Sequence, residues 1–181
     1  MGALPIDKEV IMRLIAKFLK VLNSNTEPWE ISLGLCLAMI AGLTPLWSLH
    51  NLAVLFLLLI LKANLSAFLL GLGLFSGIAY ALDPLFHRIG LAVLTAPGLQ
   101  SSWASLYNST LWRLEHFNNS IVMGSLLTSL VLSVPFVLLC SFLIRKYREH
   151  ILGWVRKTRF MQMLTASRFF DLYRSVSGWG G

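Results

Sequence analysis

The chain has 181 residues and a net charge of +7, with 56% hydrophobic and only 13% charged residues. The charged share is about half that of a soluble domain. With a mean hydropathy of +0.72, this composition excludes a disordered chain and disfavours a soluble enzyme, because so small a core cannot hide so much apolar surface. The expectation is an all-α integral membrane protein.

Residues 1–27 read as an amphipathic N-terminal segment. Ile11, Leu14, Ile15, Phe18 and Leu22 recur at helical spacing, and Lys8, Arg13, Lys17 and Lys20 fall mostly elsewhere. Such a helix lies in a membrane interface or packs on a partner. The start lacks the pattern of a signal peptide, and Ile6 stands where a myristoylation signal needs Ser or Thr.

Residues 28–145 form the expected membrane domain. Pro28 fits a first helical position after Glu27, and Trp29 suits a water–lipid boundary. From Ile31 to Leu61 there is no Asp, Glu, Lys or Arg. That run is too long for one span of about 20 residues, and Gly42-Leu43-Thr44-Pro45 breaks it. With Thr44 as N-cap and Pro45 as first residue, the expected helices are 29–42 and 45–61. Further helices are expected at 65–82 and, after an Asp83-Pro84 cap, at 84–94. Residues 95–120 read as an external loop or short helix anchored by Trp103, Tyr107, Trp112 and Phe117. The helix at 121–144 carries no charge, and Pro135 within it is a candidate kink.

Residues 146–181 read as a basic amphipathic tail. From Arg145 onward eight basic residues face only Glu149 and Asp171, net +6. Because the tail follows an apolar run, anionic lipid headgroups fit better than nucleic acid. The positive-inside rule places this tail and the N-terminus in the cytoplasm and the poorly charged 83–120 region outside. A re-entrant hairpin at 29–61 plus two crossings at 65–82 and 121–144 satisfies that placement. Four crossings, with 29–61 split into two short spans, satisfy it too.

Three features could carry function. Small residues recur every fourth position as Gly34, Ala38 and Gly42, as Gly73, Gly77 and Ala81, and as Ser125, Ser129 and Ser133. Such stripes let helices approach closely, within the bundle or against a partner's helix. The Thr44-Pro45 break would point a helix N-terminus, with its partial positive charge, into the membrane, and His50 and Asn51 lie one turn on. They either line a substrate or lipid pathway or merely satisfy the broken backbone. Asp83 and His87 share a helix face, with Arg88 beside them. They read as an acid–base pair or as a plain cap and contact. Cys36 and Cys140 read as small buried hydrophobes rather than a disulfide or zinc site. No phosphate loop, metal-ligand spacing or nucleophile elbow is present, so no cofactor or metal is expected.

Pro28-Trp29-Glu30-Ile31-Ser32-Leu33-Gly34, Gly42-Leu43-Thr44-Pro45, Leu49-His50-Asn51, Lys62-Ala63-Asn64-Leu65-Ser66 and Leu82-Asp83-Pro84-Leu85-Phe86-His87-Arg88-Ile89-Gly90 together resemble a family of small bacterial inner-membrane proteins. That family is known only as a conserved domain of unknown function. The resemblance covers about residues 28–145, with Asp83 where the wider family carries Asn. It implies a branch encoded beside a large AsmA-like protein, a β-rich bridge carrying phospholipid across the envelope. The expectation is therefore a non-enzymatic inner-membrane partner or anchor of such a complex, multi-pass, in contact with membrane phospholipid. A small transporter or channel with its site at the break is the alternative, with a homo-oligomer left open. A lipid-modifying enzyme using Asp83 and His87 ranks third.

Overall fold

The computed structural model describes residues 8–151, and these form seven α-helices with no strand among them. They are α1 (Lys8–Leu22), α2 (Pro28–Leu43), α3 (Leu49–Ile60), α4 (Leu65–Leu94), α5 (Gln100–Tyr107), α6 (Thr110–Leu114) and α7 (Ser120–Lys146). The basic tail beyond 151 lies outside the described residues.

α2 is the centre of the bundle. Twelve of its 16 residues are buried, from Ile31 to Leu43 with Leu33 the exception. A helix apolar on every side must be surrounded, and α4 and α7 do most of the surrounding. Added Cβ atoms at Gly34 and Gly42 would meet Asn64–Ala67 and Leu72–Ser76, so α2 and α4 run in the same direction. α7 runs against both: Phe86 and Gly90 of α4 meet Gly124 and Ser120, while Phe75 stacks edge-on against Phe136 at 5.8 Å. α3 returns antiparallel to α2, and the Asn64 amide donates to the Glu30 carbonyl at 3.0 Å. The α2–α3 hairpin therefore begins and ends at one end of the bundle.

The same end holds the chain's other crossing. The Arg148 guanidinium donates to the carbonyls of Leu22, Ser24 and Thr26 at 2.8–2.9 Å. These carbonyls close α1 and its following turn, where a cation satisfies orphan acceptors and opposes the helix dipole. Phe18, Val21 and Leu22 pack the second half of α1 onto Ile31, Leu35 and Ile144. Ile11, Leu14 and Ile15, on the expected apolar face, stay exposed.

α4 and α7 are long and apolar enough to cross a membrane. Only 17% and 11% of their most apolar stretches is buried, so most of each stretch faces away from the bundle. Leu69, Leu74, Val131, Val134, Leu138 and Leu139 face outward, and so do most apolar residues of α3.

Two boundaries differ from expectation. Residues 65–94 form one helix, not 65–82 followed by 84–94, and Pro84 lies inside it. Proline removes one helical N–H, and the apolar lengths on either side keep the helix continuous through that gap. The second helix of the hairpin starts at Leu49 rather than Pro45, with Ser48 as its N-cap. Thr44 closes α2 instead of opening α3: its hydroxyl donates back to the Ile40 carbonyl at 2.8 Å. Pro135 lies within α7.

Candidate functional site

The hairpin tip, residues 44–48, is closed by side-chain hydrogen bonds to its backbone. Asn51 is buried, and its amide nitrogen donates to the carbonyls of Pro45 at 3.0 Å and Leu46 at 3.2 Å. The Ser48 hydroxyl donates to the Pro45 carbonyl at 2.8 Å. With Thr44 bonded to Ile40, the tip's freed backbone acceptors find partners within the tip itself. That is what irregular backbone among apolar helices demands.

The group at the α3 N-terminus is Glu115, which sequence reasoning did not single out. Its side chain is 92% buried, being 8% exposed, and its Oε2 accepts the His50 backbone N–H at 3.0 Å. Its Oε1 is in hydrogen-bond contact with His50 Nδ1. His50 Nε2 stands 2.8 Å from Thr44 Oγ1. The Thr44 hydroxyl also donates to Ile40, so one hydrogen-bonded chain runs from the end of α2 through His50 to Glu115. The helix N-terminus expected to receive an anionic substrate thus holds a carboxylate of the chain itself.

Residues 95–119 carry Glu115 into place. Where a loop or short helix was expected, the chain makes a 3₁₀ turn at Pro97–Leu99, then α5 and α6. Phe117 is buried, and Trp103, Tyr107 and Trp112 ring it at 6.1–6.5 Å. The Trp103 indole donates to the Val93 carbonyl at 3.2 Å. His116 adopts φ 55°, a left-handed turn uncommon outside Gly, Asn, Asp and His. That turn separates two inward-facing neighbours, Glu115 and Phe117. Glu115 is the only Asp or Glu between Pro84 and Arg148, and this isolation was the signal available in the sequence.

Thr44, His50 and Glu115 stand in the order hydroxyl, imidazole, carboxylate. Nucleophilic relays share that order. Here, however, Thr44 is only 4% exposed and its proton is committed to a backbone carbonyl. The arrangement clamps three segments together: the end of α2, the start of α3 and the 108–118 strap.

The other expected site residues separate. His87 does not pair with Asp83; its Nδ1 lies 2.6 Å from Ser120 Oγ on α7. With Pro84 inside a continuous helix, Asp83 caps nothing. Arg88 is exposed. Gly34, Ala38 and Gly42 pack inside the bundle against α4, and Ser125 and Ser129 are fully buried on α7. The Ser133 carbonyl lies 3.6 Å from Cys36 Sγ, a close α2–α7 approach. Gly73, Gly77 and Ala81 are different: they are exposed, and nothing stands within 4 Å of a Cβ added at either glycine. Beside the tip, a cleft of roughly 420 Å³ opens between α2, α4 and the start of α7, lined by Leu43, Trp47, Ser76, Tyr80, Asp83 and Asn119 among others. No group of three metal-ligating side chains occurs among the described residues.

No solved structure matches the chain. It is similar to an "Uncharacterized protein" of Treponema pallidum (strain Nichols), at 24% identity over 141 residues, covering 78% of this chain and 87% of that protein. The family model described as "Uncharacterized protein conserved in bacteria (DUF2062)" matches residues 12–152, from within α1 to just past the Arg148 clamp, and the chain belongs to that family.

Proposed function

We propose that this protein is a non-enzymatic partner of the bacterial inner membrane that anchors an AsmA-like phospholipid-transfer protein. The observation that carries this reading is the open stripe of Gly73, Gly77 and Ala81 on α4. The other small stripes are spent on internal packing, whereas this one offers a foreign transmembrane helix a close approach. In this reading α4 and α7 cross the bilayer, and the α2–α3 hairpin enters and leaves on the cytoplasmic side. Both chain ends share that side, where the exposed Ile11, Leu14 and Ile15 of α1 rest in the interface.

The test is purification from native membranes in mild detergent, with mass spectrometry of the intact assembly. The expected result is one AsmA-like protein bound stoichiometrically to the wild type and lost from Gly77→Leu. A Cβ there meets nothing within 4 Å, and thermal unfolding of the variant beside the wild type checks that it stays folded. Absence of that partner from the wild type, or its full retention by Gly77→Leu, overturns the reading.

A small transporter with its site at the break is a second reading, favoured by the cleft beside Thr44 and Pro45. Glu115 weighs against it by occupying the α3 N-terminus. A cysteine at position 50 that reacts with a water-soluble thiol reagent would favour the transporter.

A further inference from the structure

The cleft at the hairpin tip contains one group the fold does not use. Ser76, Ala79, Tyr80 and Asp83 line it from α4, at i, i+3, i+4 and i+7, so they share one helix face. Most of its other lining is apolar. Asp83 is half-buried there, and no hydrogen bond or ion pair reaches its carboxylate among the described residues. A carboxylate in apolar surroundings is costly unless a cation meets it.

The next residue adds a second acceptor. Pro84 lies within α4, and proline has no N–H to give the carbonyl four residues earlier. That carbonyl belongs to Tyr80, which also lines the cleft. Helical carbonyls point toward the C-terminus, so this oxygen, without its usual i+4 donor, faces toward the level of Asp83. A donor with several N–H groups on one positive atom satisfies both.

The remaining features fit a lipid headgroup. The mouth is flanked by Tyr80, 82% exposed, and Trp47, 97% exposed, side chains that favour headgroup depth. Asn119 also lines the cleft, and its Oδ1 is spent on the amides of Ile121 and Val122. Its amide NH₂ remains as a donor for a phosphate, beside the partial positive charge of the α7 N-terminus. The volume, roughly 420 Å³, is in the small-ligand range.

We infer that this cleft binds the headgroup of a phospholipid bearing a primary ammonium, of the phosphatidylethanolamine class, with the ammonium on Asp83 and the Tyr80 carbonyl. The inference rests on the membrane placement proposed above and not on the protein partner. Choline presents no N–H and glycerol no charge, so lipids with those headgroups bind less well.

The test uses the full chain purified alone, so loss of lipid and loss of partner read separately. The delipidated protein in mild detergent is titrated with phosphatidylethanolamine, phosphatidylcholine or phosphatidylglycerol of equal acyl chains. Bound lipid is counted by native mass spectrometry. The wild type is expected to hold one phosphatidylethanolamine about tenfold more tightly than the others, the scale of one charge-assisted hydrogen bond. Asp83→Asn removes that preference. Pro84→Ala, which returns the Tyr80 carbonyl to the helix ladder and leaves the carboxylate in place, narrows the gap over phosphatidylcholine severalfold. Arg113→Gln, an exposed charge on α6 away from the cleft, changes nothing. Equal binding of the three lipids by the wild type, or an unchanged preference in Asp83→Asn, overturns the inference.

Discussion

The α4–α7 crossing makes the sharpest demand on side-chain identity. A Cβ at Gly90 would lie 1.8 Å from the Ser120 carbonyl oxygen, and one at Gly124 would lie 1.9 Å from that of Phe86. Both obstacles are backbone, so no rotamer change relieves them. Restoring ordinary contact means moving the two helices apart by about 1.5 Å, which strips contact from the fully buried Phe86. Overpacking of this kind costs typically about 1–3 kcal/mol, and a backbone obstacle puts it at the upper end. Replacing Gly by Ala within a helix returns about 1 kcal/mol of propensity. Gly90→Ala is therefore expected to destabilise by a net of about 2 kcal/mol, a fall in melting temperature of roughly 4–8 °C for a chain of this size. Gly73→Ala meets nothing within 4 Å, so only the propensity gain remains and its melting temperature rises by about 2–4 °C. Gly124→Ala behaves like Gly90→Ala, and the double variant loses less than the sum because one separation relieves both contacts. Thermal unfolding of the detergent-purified variants reads the difference. If Gly90→Ala melts at or above the wild type, the close crossing is not a feature of the folded protein.

Glu115→Ala removes the acceptor for the His50 amide and the partner of its ring, a loss of about 2 kcal/mol for buried groups left unsatisfied. Limited proteolysis is expected to cut the 108–118 strap in that variant and to spare it in the wild type; equal protection would deny Glu115 its clamping role. Arg148→Ala abandons three carbonyls and is expected to cost about 2 kcal/mol. Arg148→Lys recovers little of this, because one ammonium cannot span three acceptors as a planar guanidinium does; full recovery of the melting temperature by lysine would refute that geometry.

The sequence announced its helices by apolar runs, and Pro28 and Thr44 fall close to true boundaries. It misled where one residue type has two uses. Asp83-Pro84 has the chemistry of a helix start, yet long apolar stretches on both sides keep α4 intact, and the proline costs only one backbone bond. Thr44-Pro45 likewise reads as a cap and first turn. The threonine instead bonds backward to Ile40, and the restart waits for Ser48. Small-residue spacing could not say which stripes face inward; only the partners of α2 decide that Gly34 and Gly42 are internal and Gly73 and Gly77 open. The His50–Glu115 pair joins residues 65 positions apart, and no local pattern encodes such a distance. The crossing glycines, Gly90 and Gly124, lie 34 positions apart and were invisible for the same reason.

The Arg148 bonds span 122–126 residues, nearly the full length of the described chain. During synthesis the carbonyls of Leu22, Ser24 and Thr26 emerge first, and their partner follows 122–126 residues later. The N-terminal helix therefore waits, unlatched, while the hairpin and both long helices are laid down. Order of manufacture then becomes a checkpoint. A chain cut short before Arg148 carries every long helix yet lacks the bolt that fastens α1 to the end of α7. Quality-control proteases that probe for loose termini would meet α1 unsecured in that product and secured in the finished one.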